Sequence, residues 1–127
     1  MLSAAKHLYE IARSKLVRPV VGWVFAHMSF ILPVDRIYES QGWAAFYHPK
    51  PSYAFHVLLV SKRSIPNLTS LTAADAPLLA ELVQVIQLLV TRFDLEGKGY
   101  RLITNGGSYQ DIPQLHFHLV SGAPTKE

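Results

Sequence analysis

The sequence predicts an α+β fold with a mostly antiparallel sheet of about five strands, one long helix and additional helices at the N-terminus. Three observations carry this. Apolar residues recur at helical spacing up to about residue 30, at strand-like spacing from 36 to 61, at helical spacing again after 72, and at strand-like spacing to 121. Glycines and prolines gather between these blocks, where breaks in regular structure belong. Half of the 127 residues are apolar and 17% are charged, the balance of a globular domain with one core and not of a disordered chain.

Taken in order, residues 3–16 place Ala4, Leu8, Ile11, Ala12 and Leu16 on one helical face, with Lys6, Glu10, Arg13 and Lys15 opposite. Pro19 interrupts, and a more apolar helix is expected from about 20 to 30, stopped by Pro33. The period then changes. Arg36–Glu39 and Trp43–Tyr47 read as strands joined by a hairpin turn at Gln41-Gly42, and the prolines of His48–Ser52 make that segment a loop. Ala54–Ser61 reads as a central strand buried on both faces. Thr72 and Asp75 resemble a capping box, and behind them Leu78, Leu79, Leu82, Ile86, Leu89, Val90 and Phe93 mark a long helix ending near Gly97. Pro77 falls late for a first turn, so an irregular start is expected. Tyr100–Thr104 is a strand, Asn105–Ser108 a turn and Leu115–Ser121 the last strand.

Charge and composition narrow the function. A net charge of +3 suits an anionic ligand, but no dense Lys/Arg stripe with interleaved aromatics exists, so a nucleic-acid platform is not expected. Cysteine is absent, which removes disulfides, thiolate zinc sites and a cysteine nucleophile, and agrees with a cytoplasmic location. The apolar run from Pro19 to Val34 is shorter than the roughly 20 residues a membrane span needs, and it contains Gly22, His27 and Ser29. A buried helix is the expected reading, with membrane association the rival.

The segment from Gln110 to Gly122 carries the chemistry. In a strand, alternate residues share a face about 7 Å apart, so Gln114, His116 and His118 are expected on one face and Leu115, Phe117 and Leu119 on the other, against the long helix. Two imidazoles and an amide side by side need polar partners, which points to a cleft. A neutral imidazole is a ready nucleophile toward phosphorus when its second nitrogen carries the proton and is held by an acceptor. Asn105-Gly106-Gly107-Ser108 could bring backbone N–H groups and an amide close to the same phosphate.

These residues resemble the histidine triad (HIT) family, marked by His-φ-His-φ-His-φ-φ with φ apolar; this chain reads Gln114-Leu115-His116-Phe117-His118-Leu119-Val120. The likeness extends to Ile37-Tyr38-Glu39, Ala44-Ala45-Phe46, Pro51, His56–Lys62, Gly99–Gly107, Gln110 and the stretch Trp23 to Pro33, and so covers roughly residues 20–122. It implies a HIT-like domain over 19–127 behind an N-terminal helical extension, 1–18. It implies that His116 forms a covalent nucleotidyl intermediate and that His118 contacts the phosphate and leaving group, with Gln114 in the supporting position. Asn105, Gln110 and Gly107 fall where the family binds phosphate. Phe46, Tyr47, His48, His56 and Leu58 fall in its nucleoside pocket, with Trp23, Val24 and His27 closing over the base. The implied ligand is a purine nucleotide or dinucleoside polyphosphate, the implied assembly a homodimer, and no cofactor or metal is implied.

The chain departs from the family's pattern in four ways. Gln114 replaces the first histidine and cannot titrate. His48 stands where many members carry an acidic residue for the ribose hydroxyls. Ser61 replaces a proline, and the loop from Asn105 to Gln110 is short. A nucleotide-binding module with little turnover is therefore the alternative to an enzyme. A His-x-His zinc site is a further rival, without an obvious third ligand because Asp111 precedes the strand and thiols are missing.

Overall fold

The computed structural model describes residues 36–125. The expected N-terminal helices, the boundary at residue 18, Trp23 and His27 lie outside the described residues. Five antiparallel strands form one sheet: β1 (Arg36–Glu39), β2 (Trp43–Tyr47), β3 (Tyr53–Ser61), β4 (Arg101–Ile103) and β5 (His116–Pro124), in the order β1-β2-β3-β5-β4. The helix α1 (Ala76–Arg92) and the short α2 (Leu95–Lys98) connect β3 to β4.

Register divides the sheet into two faces of different chemistry. Pairs Leu59↔Phe117, Val57↔Leu119 and Ala45↔Leu59 share one face, and α1 covers it with Leu78, Leu82, Val85, Ile86, Leu89 and Val90. Trp43 is fully buried there, its ring edge-on to Phe117 and its indole N–H donating to the Leu78 carbonyl at 2.9 Å. Pairs Val60↔His116, Leu58↔His118 and His56↔Val120 share the other face. One face thus holds the core and the other holds imidazoles.

Local chemistry explains the connections. Glu81 on α1 accepts from the Gly42 N–H at 2.6 Å and from the Ser40 hydroxyl, and so ties the β1–β2 hairpin to the helix. A Cβ at Gly42 would meet Leu78 Cδ1 at 2.6 Å and the Glu81 carboxylate at 3.1 Å, so any larger residue requires those side chains to shift. Asp75 accepts from the Thr72 N–H at 2.8 Å, and a 3-10 turn (Ala73–Asp75) precedes α1, so Pro77 falls in the first turn of the true helix. The last strand runs on past the expected end at Ser121, because Gly122 at φ 84° and a shift of register between Tyr53 and Phe55 let Pro124 pair with Tyr53. The expected turn at Asn105–Ser108 includes the start of a 3-10 turn, Gly107–Tyr109.

Candidate active site

The site is built on the end of β5 where the chain enters the sheet. His116 and His118 lie on the same face, ring centroids 5.1 Å apart. Gln114 does not join them. The strand begins only at His116, and the Gln114 side chain is buried beneath, its Nε2 donating to the Ser61 carbonyl at 2.8 Å and the Arg63 carbonyl at 2.6 Å. What Gln114 gives the histidine is its backbone: its carbonyl lies 2.7 Å from His116 Nδ1. A carbonyl can only accept, so the proton of the neutral ring is on Nδ1 and the lone pair is on Nε2. Thr104 fixes the same residue from the other side, its hydroxyl donating to the His116 carbonyl at 2.8 Å.

A second chain of hydrogen bonds sets His118. The Ser52 N–H donates to His56 Nδ1 at 3.0 Å, and His56 Nε2 lies 2.8 Å from His118 Nδ1. The backbone donor forces the His56 proton onto Nε2, which passes it as a hydrogen bond to His118 Nδ1 and leaves the His118 proton on its own Nε2. The Lys50 N–H likewise donates to His48 Nδ1 at 2.9 Å. Prolines at 49 and 51 have no N–H, so Lys50 and Ser52 supply the loop's two donors to these rings. Burial pushes His56 down to about 4. Burial, then the neighbouring His116 and His56, push His118 down to about 3. Burial also lowers His116, against the opposing pull of the Gln114 carbonyl and of Asp111. At neutral pH these three rings are uncharged: His116 offers a lone pair, and His118 offers an N–H.

His48, His56 and His118 bring one ring nitrogen each within 4.8 Å of one another, a three-imidazole group that includes His118 but not His116 of the His-x-His pair. Yet a metal-bound imidazole turns its lone pair to the ion and donates its other N–H outward. Here backbone N–H groups donate to the outer nitrogens of His48 and His56, so the inward ones carry protons. This polarity suits a hydrogen-bond chain and opposes a cation.

Beside His118 opens a cavity of about 440 Å³ lined by His48, Lys50, Pro51, Ser52, Tyr53, His56, Ile103, Asn105, Asp111, His118, Val120 and Thr125. The cavity thus brings together His48 and His56 of the expected nucleoside group, Asn105 of the phosphate group and His118 of the expected catalytic group, while His116 stands beside His118 and is not itself part of the lining. Phe46 and Leu58 share the histidine face but are buried with Val60 and do not line this cavity. Tyr47 is a correction. It follows Phe46 in a strand, so it points to the opposite face, where its ring packs edge-on against Phe55 and Phe93. Gln110 donates to the Pro66 carbonyl at 2.7 Å and the Ile112 carbonyl at 3.0 Å, and with Gly107 lies outside the cavity lining, so both shape the loop. The residues the sequence reading missed are Lys50, Ser52, Tyr53, Ile103, Asp111, Val120 and Thr125. Of these, Asp111 carried a signal, being the acidic group nearest in sequence to the two histidines.

The HIT domain family model matches residues 31–125. An uncharacterized HIT-like protein of Helicobacter pylori is 32% identical over 93 residues, spanning 72% of this chain and 86% of that protein. A solved HIT family hydrolase from Clostridium thermocellum aligns with a TM-score of 0.72 at 29% identity, over 82% of this chain and 93% of that one. A HIT family hydrolase from Legionella pneumophila gives 0.73 at 26% identity, over 79% and 92%.

Proposed function

The chain belongs to the HIT family, and on that premise we propose that it is a nucleotide hydrolase or nucleotidyl transferase acting at the α-phosphate of a nucleoside phosphate through a covalent His116–nucleotide intermediate. The observation that carries this is the 2.7 Å contact between His116 Nδ1 and the Gln114 carbonyl, which leaves Nε2 with a free electron pair. In the first step that pair forms the N–P bond while the bond from phosphorus to the leaving group breaks, the departing atom keeping its electrons. The His118 Nε2–H hydrogen-bonds a phosphate oxygen or the departing atom and stabilises the charge that gathers there. In the second step water or another acceptor attacks phosphorus, the N–P bond breaks, and the attacking oxygen releases its proton to solvent.

The same observation weighs against the binding-module alternative. The first position of the triad supports the nucleophile through its main chain, which glutamine supplies as well as histidine. The test is rapid-quench kinetics with an AMP ester of a good leaving group. A burst of leaving group and an acid-labile nucleotide adduct, both absent in His116→Ala, are expected. Equal, slow release by both proteins abandons the enzyme in favour of the binding module.

A homodimer is part of the proposal. Among the described residues β4 is an edge strand with one unpaired side, and Leu102 on it and Tyr100 next to it are both 42% exposed. Sedimentation should give twice the chain mass, reduced to the monomer by Leu102→Lys.

A further inference from the structure

Resting on the reaction just proposed, we infer that Asp111 selects the leaving group by charge: the site takes nucleoside phosphates whose leaving group carries an ammonium and disfavours those whose leaving group is an oligophosphate. The cavity is polarised along the strands. Lys50, Ser52 and Thr125 stand where β3 begins and β5 ends, because Tyr53 pairs with Pro124 and the Thr125 N–H donates to the Ser52 carbonyl. Asp111 stands at the other end. Its neighbours Gln110 and Ile112 belong to the loop that is tied to Pro66, and Leu115 just beyond is bonded to Ile65. His118 lies between the two ends and lines the same cavity as both.

A phosphorus atom held at His118, with the His116 ring adjacent at 5.1 Å between centroids, extends its substituents toward these two ends. The Lys50 end is rich in rings and apolar surface (His48, Pro51, Tyr53, Val120), which suits a nucleoside. The leaving group is then directed toward Asn105 and Asp111. A carboxylate there repels the negative charge that an oligophosphate accumulates as it departs and attracts an ammonium. At a separation of about 7 Å and an effective dielectric near 20, one such charge pair changes a rate by roughly tenfold or more, and salt reduces the effect.

The test uses three aryl esters of AMP with a methyl, an aminomethyl or a carboxymethyl group on the ring; each leaves as a phenolate, so no proton donor is required. The wild type should favour the aminomethyl over the carboxymethyl ester in kcat/KM by about tenfold or more. Asp111→Asn should bring that ratio close to one, the ratio and not the turnover of the methyl ester being the quantity that isolates the charge. Raising the ionic strength should shrink the wild-type ratio only. A wild-type ratio near or below one, or a ratio that survives Asp111→Asn, overturns the assignment. If no ester is turned over faster than by His116→Ala, it is the reaction that fails. The charge preference is then read by calorimetry with the three methylene-bridged analogues, where equal affinities, or an ammonium preference unaffected by Asp111→Asn, overturn it.

Discussion

Acid should unfold this protein through its histidines before it does so through its carboxylates. His56 is 6% exposed and is pushed down to about 4, and His118 to about 3, whereas both recover an ordinary value of 6.5 once the chain unfolds. Below that value the unfolded chain binds protons that the folded one refuses, so the stability these rings contribute is complete above pH 6.5. It is lost as pH falls toward the folded values, below which they take away no more. For His56 alone a shift from 6.5 to about 4 corresponds to about 3 kcal/mol. With His118 titrating in the same direction, these two rings give a slope of up to about 2.7 kcal/mol per pH unit near pH 5, to which the lowered His116 adds in the same sense, set against a total of roughly 5–15 kcal/mol for a domain.

The depressed carboxylates, Asp75 by the Thr72 N–H and then Arg63, and Glu39 by Lys62, also favour the folded state at neutral pH, but their share is lost only below the ordinary carboxylate range. The windows therefore separate. Urea denaturation from pH 7.5 to 4.5 should show stability falling steadily, and His56→Gln, which keeps a donor for His118 and cannot titrate, should flatten the slope by about one proton. Constant stability from pH 7 to 5, or an unchanged slope in His56→Gln, refutes the buried neutral relay.

Three further outcomes follow from the contacts. Gln114→Leu removes the two hydrogen bonds that Nε2 gives to the Ser61 and Arg63 carbonyls. The Arg63 carbonyl keeps the Ile65 N–H and the Ser61 hydroxyl, so urea titration should show a loss of about 1–2 kcal/mol, while kcat stays within about threefold because the backbone carbonyl at His116 is untouched. Gly42→Ala drives a methyl group into Leu78 and the Glu81 carboxylate; a loss of about 1–3 kcal/mol is expected by thermal melting, with nucleotide affinity unchanged. Because burial lowers His116 and His118, any acid limb of kcat in stopped-flow assays should lie below the 6.5 of a free imidazole, and a limb at or above 6.5 would contradict the buried, uncharged rings.

Much of the architecture was legible because it is dictated by local periodicity. β1 and β2 fall where alternation and the Gln41-Gly42 turn place them, and the capping residues Thr72 and Asp75 with Pro77 foretell an α-helix that starts after an irregular turn. The reading failed where register over long range decides. Gly122 and Pro124 look like strand breakers until a bulge opposite Tyr53 and Phe55 is known. Grouping Tyr47 with Phe46 overlooked that adjacent strand residues part to opposite faces, a rule the sequence itself supplies.

The site divides along the same line, between side chains that a motif can display and main-chain groups that it cannot. His116 and His118 are visible two residues apart on one strand. What makes one a nucleophile and the other a donor is supplied by the Gln114 carbonyl and by the Ser52 N–H acting through His56, and these groups are chemically identical at every such position in the chain. The loop His48–Ser52 shows how sequence can still bias them: two prolines delete alternate donors and leave Lys50 and Ser52 to face the rings. It follows that replacing Gln114 leaves the polarity of His116 intact as long as the backbone there keeps its path, whereas a change that turns the 50–52 peptides reverses the proton order at His118 without touching any histidine.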